Sequence, residues 1–160
     1  MVWINWEYFT ERWLGRAEGG QEYIDDGDRF VSLWIAFNGW MKGKFGEAER
    51  DVTLVNRVKK SDDIRQIFEA LRNDNSDFAE LLQQLSIHTV ADMTDLDNRN
   101  KIKRYNGTFD SFMDVIYLVR CNLFHGRKNI EEDNKDFELV RLSYRILLPL
   151  FKACLNPQYN

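Results

Sequence analysis

Phe109-Asp110-Ser111-Phe112-Met113-Asp114-Val115-Ile116-Tyr117-Leu118-Val119-Arg120-Cys121-Asn122-Leu123 is the stretch that decides the fold. Its residues Phe109, Phe112, Ile116, Val119 and Leu123 recur at steps of 3, 4, 3 and 4. That spacing lays one apolar stripe along a helix and does not fit the alternation of a half-buried strand. Phe137, Val140, Tyr144, Leu147 and Phe151 repeat the pattern downstream. The polar segment from Gly126 to Lys135 lies between the two, and a link this short predicts antiparallel neighbours. Pro149 should kink or loosen the second helix, because it has no N–H and crowds the preceding turn.

Working outward from these helices, the periodicity reaches the N-terminus. Trp3, Trp6, Phe9 and Trp13 predict an opening amphipathic helix, ended by Gly15, Gly19 and Gly20. Its aromatic face suits the core or a dimer surface. Asp28 is placed to cap a second helix with Phe30, Leu33, Trp34, Phe37 and Met41 on one stripe, closed by Gly43 and Gly46. Ser61 with Asp62 and Asp63 reads as a third start, followed by Ile64, Ile67, Phe68 and Leu71. Ser76 caps a short helix through Phe78, Leu81, Leu82 and Leu85. From about Ile87 to Gly107 the chain is polar and weakly patterned, which predicts a long loop with at most one helical turn. Strand patterns are essentially absent. The expectation is an all-α helical bundle, one domain over residues 1–160, with two long C-terminal antiparallel helices.

Composition bounds the function. The chain has 160 residues, 44% of them hydrophobic and 14% aromatic, which predicts a dense core and excludes a disordered chain. Nine Gly and two Pro leave few helix breakers. The net charge is −4, so any nucleic-acid site has to be a local basic patch. Cys121 and Cys154 make no disulfide framework and read as reduced thiols. The N-terminus lacks the pattern of a signal peptide, and no stretch approaches the roughly 20 apolar residues of a spanning helix. A cytoplasmic protein with no membrane partner is the expectation.

One constellation carries chemistry. Leu118-Val119-Arg120-Cys121-Asn122-Leu123-Phe124-His125-Gly126-Arg127-Lys128 places an arginine five residues before a histidine. An arginine can hold a phosphate bidentately, and a histidine moves protons near neutral pH. Five residues along a helix turn the side chain by about 140°, so one straight helix does not bring the two together. They converge if the helix ends near His125, where Gly126 stands as a C-terminal cap residue, or if a second copy packs across the first. Asn122 is a helical neighbour of His125 and could fix its tautomer or touch a phosphate oxygen. Near a helix C-terminus the dipole favours the imidazolium. Such a group can take a proton from a ribose 2′-OH or give one to a leaving 5′-oxygen, while Arg120 stabilises the phosphorane-like charge. The internal nucleophile requires no metal and no cofactor. Arg127 and Lys128 would add positive potential for RNA beside this cleft. By spacing alone, an arginine and a histidine at a helix end are more often solvated or capping residues, and capping explains Arg127 and Lys128 equally well.

Val119-Arg120-Cys121-Asn122-Leu123-Phe124-His125-Gly126 resembles the Rx4–6H motif of HEPN domains. The aromatic stretch Phe30-Val31-Ser32-Leu33-Trp34-Ile35-Ala36-Phe37-Asn38-Gly39-Trp40 is similar to the early helices of such proteins. The resemblance covers most of the chain in architecture and about eight residues in motif. It implies a HEPN-like bundle that acts as a homodimer. The implied activity is a metal-independent endoribonuclease of the toxin–antitoxin or anti-phage type, with Arg120 and His125 as the functional pair. Members often carry a polar residue directly after the arginine; here that place holds Cys121, and Asn122 follows. The alternative is a non-catalytic module that binds a nucleotide, RNA or a protein partner, such as a cognate antitoxin or a small nucleotidyltransferase. No DNA partner is expected.

Other features have plainer readings. Arg99, Lys101, Lys103 and Arg104 could track an RNA backbone, yet Asp95 and Asp97 just before them suit a solvated loop. Cys121 and His125 are four apart, a spacing open to a metal pair or a thiol nucleophile, but His88 and Cys154 lie far away in the sequence. Asn38, inside an aromatic run, either hydrogen-bonds in the core or lines the cleft.

Overall fold

The computed structural model describes residues 5–19, 25–91, 102–124 and 134–156, with side chains from 137 onward in the last segment. Seven helices carry these residues: α1 (Trp6–Glu18), α2 (Asp26–Phe45), α3 (Asp51–Lys60), α4 (Asp62–Asp74), α5 (Ser76–Ser86), α6 (Phe109–Phe124) and α7 (Asn134–Leu155). The protein is all-α, as its periodicity predicts. The exception is a two-residue antiparallel ladder of β1 (Val90–Ala91) on β2 (Ile102–Lys103), which pairs Val90 with Lys103 and Ala91 with Ile102. Two residues per strand are too few to leave a period-two signal, so the sequence reads this segment as loop.

Local chemistry sets the helix ends. Asn5 caps α1 by accepting from the Tyr8 N–H, and the helix runs through Gly15 to stop at Gly19. Asp25, not Asp28, caps α2: its Oδ1 accepts from the Asp28 N–H at 2.8 Å. Gly43 lies inside α2, and Gly46, at φ +139°, closes it. Ser61 caps α4 as expected. Asn75, one residue before Ser76, caps α5. The helix α3 has no side-chain cap bond, which is why a search for cap residues passes over it; its acid in the first turn and its Arg57, Lys59 and Lys60 in the last suit the helix dipole. α7 continues through Pro149 to Leu155. The missing proline N–H deprives only the carbonyl of exposed Arg145, which water can satisfy.

The helix α2 is the central element. Phe30, Leu33, Trp34, Phe37 and Met41, its whole expected stripe, are buried. α1 lies along it in close approach. A Cβ at Gly39 would stand 2.4 Å from the Phe9 ring, and one at Gly43 would stand 3.0 Å from the Trp6 Cβ. The glycines therefore make the groove that receives the aromatic face of α1. α7 packs most extensively on α2 and only lightly on α6, so the two long C-terminal helices are not each other's main partners. Phe137, expected on the buried stripe of α7, is exposed; Leu139, Leu142, Ile146 and Leu150 take the core with Val140, Leu147 and Phe151. Tyr144 donates to the Ala17 carbonyl at 2.9 Å and ties α7 to α1.

Two aromatic groups fill the core. Phe37 meets Phe151 and Trp40, and Trp34 meets Tyr117, at the α2–α6–α7 side. Phe68 gathers Phe78, Phe109 and Phe112 at the α4–α5–α6 side. α6 thus belongs to both. Ion pairs also fix it: Lys59 to Asp114 at 2.7 Å and Arg65 to Asp110 at 3.2 Å. Among the described residues no helix is long and apolar enough to cross a membrane.

Candidate functional site

The last turn of α6 carries Arg120, Cys121, Asn122, Leu123 and Phe124. His125, Arg127 and Lys128 lie outside the described residues, as do Gly126, Arg99 and Lys101. The described part of the site is the arginine and what surrounds it.

Arg120 extends toward the start of α3. Its Nη2 stands 2.9 Å from Asp51 Oδ2, and both side chains keep some solvent contact, 20% and 25% of their surface. The other carboxylate oxygen of Asp51 accepts from Asn38 Nδ2 at 2.7 Å. The chain Asn38–Asp51–Arg120 therefore joins α2, α3 and α6. The Asn38 amide is half-buried and holds the carboxylate that holds the arginine. The guanidinium lies over the Phe124 ring, 4.5 Å from its centroid, with Trp34 at 5.9 Å and Tyr117 at 6.0 Å. Nη1 contacts Cys121 Sγ at 3.8 Å. Aromatic faces attract the cation and restrict its swing.

Tyr117 feels the same neighbourhood. Burial raises its phenol pKa to about 12; the Cys121 side chain and Asp51 push the same way, and Arg120 opposes them. The phenol is a neutral donor at physiological pH. Cys121 and Cys154 are free thiols.

Asn122 faces elsewhere. Two residues on a helix differ by about 200°, so its amide leaves the opposite side from Arg120. It is 3% exposed, and Nδ2 donates to the Ala91 carbonyl of β1 at 2.8 Å. The structure therefore does not bring Asn122 to Arg120. It brings Asp51 and Asn38 there instead. Asp51 escapes sequence reading because the partner of an arginine 69 positions later has no local signal; only the acid at the start of a short amphipathic helix, Leu54, Val55 and Val58, marks its place. Of the basic run, Lys103 and Arg104 are exposed beside the β-ladder. Among the described residues no group of three His, Cys, Asp or Glu side chains could hold a metal ion.

Two cavities matter for comparison. One of about 370 Å³ borders Phe124. A larger one, about 720 Å³, lies between α1 and the C-terminal ends of α2 and α7, with Trp6, Trp40, Glu7, Glu11 and Lys44 in its walls. Neither Arg120 nor Asn122 lines the larger one. No protein-family model matches the chain, and neither the curated proteins nor the solved structures contain a match.

Proposed function

We propose that the protein is a metal-independent endoribonuclease of the HEPN type, acting as a homodimer through Arg120 and His125. The observation that carries this reading is the mounting of Arg120. It stands one turn before the end of α6, partly open to solvent, oriented by Asp51 and braced by Phe124. The guanidinium has five N–H donors, and its contacts with Asp51 and Cys121 leave capacity for a phosphate.

In the proposed reaction the ribose 2′-oxygen attacks the adjacent phosphorus. The O2′–P bond forms and the P–O5′ bond breaks. The products are a 2′,3′-cyclic phosphate and a 5′-hydroxyl; the 2′-OH loses its proton to water, and the His125 imidazolium gives one to the 5′-oxygen and is reprotonated from water. Arg120 stabilises the charge that builds on the non-bridging oxygens. Asp51 and Asn38 are positioning residues: Asp51 holds the arginine, and Asn38 holds Asp51. Arg127 and Lys128 are the proposed backbone contacts for RNA.

The test is RNA cleavage with EDTA present, comparing the wild type with His125→Ala and Arg120→Ala. Both variants should lose about 100-fold or more in rate, as expected for removal of a proton carrier or a charge-stabilising donor. Full activity in His125→Ala would sink the proposal, and so would activity lost only on chelation. A second reading has a specific observation behind it: the Asp51 carboxylate already neutralises Arg120. On that reading the chain is a non-catalytic module that binds RNA, a nucleotide or a protein partner such as an antitoxin. RNA bound but never cut in the same assay would favour it.

A further inference from the structure

We infer that the cavity beside Phe124 is a nucleobase subsite that selects guanine through Asp28; the inference rests on the nuclease reading, because it takes Arg120 as the phosphate holder. Three observations converge on it.

The first is continuity. Phe124 is 40% exposed, an uncommon state for a phenylalanine, and the Arg120 guanidinium lies over its ring. The same residue walls the cavity of about 370 Å³ with Leu123, Val31 and Ile35. Phe124 thus borders both the guanidinium and the cavity, so a phosphate on Arg120 and a base in the cavity would share one wall. A single nucleotide carries phosphate and base on one ribose.

The second is shape and polarity. Three aliphatic side chains and a phenyl ring offer an open apolar bed on which a π-face can lie, the way single-stranded RNA bases are held.

The third is charge. Asp25 and Asp28 complete the lining. The Asp25 carboxylate is engaged, since it caps α2 by accepting from the Asp28 N–H at 2.8 Å. Asp26 pairs with Arg29 at 3.5 Å. The Asp28 carboxylate has no hydrogen-bond or ion-pair partner among the described residues. A free carboxylate repels phosphate and accepts N–H donors. The RNA backbone must therefore enter from the Arg120 side and leave a base edge to Asp28. Guanine presents two adjacent donors, N1–H and the exocyclic amine, which match a carboxylate bidentately. Adenine and cytosine offer one amine beside an acceptor. Uracil offers one N–H between two carbonyls, which the carboxylate opposes.

The experiment uses the full chain and two readouts. One is the ratio of cleavage at guanine-containing over uracil-containing sites in a defined RNA set. The other is calorimetric binding of uncleavable 2′-O-methyl GpG and UpU. Asp28→Asn should fold normally, because the cap uses the Asp28 backbone and the Asp25 side chain; circular dichroism checks this. The wild type should prefer guanine by about tenfold or more, and Asp28→Asn should cut that preference about tenfold. Phe124→Leu should weaken GpG binding. Cleavage with a guanine preference that Asp28→Asn leaves unaltered, or with no preference, overturns the subsite and leaves the nuclease reading standing. No cleavage, but GpG bound more tightly than UpU in an Asp28-dependent way, upholds the subsite and removes the nuclease reading. Neither cleavage nor selective binding removes both.

Discussion

Arg120 and Asp51 hold each other at a depth where neither is fully dry nor fully wet. Such a pair is worth more than one on the open surface, and truncating one member leaves the other half-buried and unmatched. Arg120→Ala and Asp51→Ala should each lower unfolding free energy by about 1–3 kcal/mol. The double variant should lose less than the sum of the two, since removing both members leaves no stranded charge. Urea denaturation of the four proteins in that cycle measures the coupling; strict additivity would mean that the 2.9 Å contact contributes nothing in solution. Asn38 enters the same accounting one step back, because it satisfies the second carboxylate oxygen of Asp51.

At the scale of elements, one glycine of α1 and one of α2 separate two effects that usually blur. Alanine is favoured over glycine in a helix by about 1 kcal/mol. At Gly15, in α1, a Cβ meets nothing within 4 Å, so Gly15→Ala should raise stability by about that amount. At Gly39 the same change drives a methyl group into the Phe9 ring and must push α1 away, so the packing loss of about 1–3 kcal/mol should outweigh the helical gain. Thermal unfolding of both variants checks the opposite signs. Near-ultraviolet circular dichroism should show altered tryptophan packing only in Gly39→Ala.

The elements were also where sequence reading succeeded and failed for reasons that can be named. Long stripes such as Phe30 to Met41 and Phe109 to Leu123 are visible because burial repeats every turn. Gly43 looks like a helix end when, with Gly39, it forms a packing groove, because sequence does not show what lies opposite a missing side chain. The order of packing, with α7 on α2 more than on α6, is a property of three-dimensional fit that loop length does not fix. At the site, Arg120 was legible from its spacing to His125. Its holder Asp51 was not, because pairing across helices leaves no periodicity.

For the whole molecule, two partly buried acids contribute to the loss of stability at alkaline pH. Burial pushes the Cys154 thiol from 9.0 up to about 12, against the pull of Lys44, and pushes Tyr117 from 10.0 to about 12. In both, the folded state holds the proton more tightly than the unfolded chain. The stability this contributes is fully present below the unfolded values and is lost as pH rises through about 12. The urea midpoint should therefore stay level up to about pH 9 and fall between pH 9 and 12. Cys154→Ala should shrink the first part of that fall. A midpoint unchanged to pH 12 would contradict both buried assignments.

The amide of Asn122 and the guanidinium of Arg120 grip the last turn of α6 from opposite sides, one on the β1 carbonyl and the other on the carboxylate of α3. A rod clamped at two opposed points cannot roll about its own axis. The orientation of that last turn, up to Phe124, is thus set by two anchors. One residue inserted into α6 ahead of Arg120 would turn both anchors by about 100° at once and release the rod.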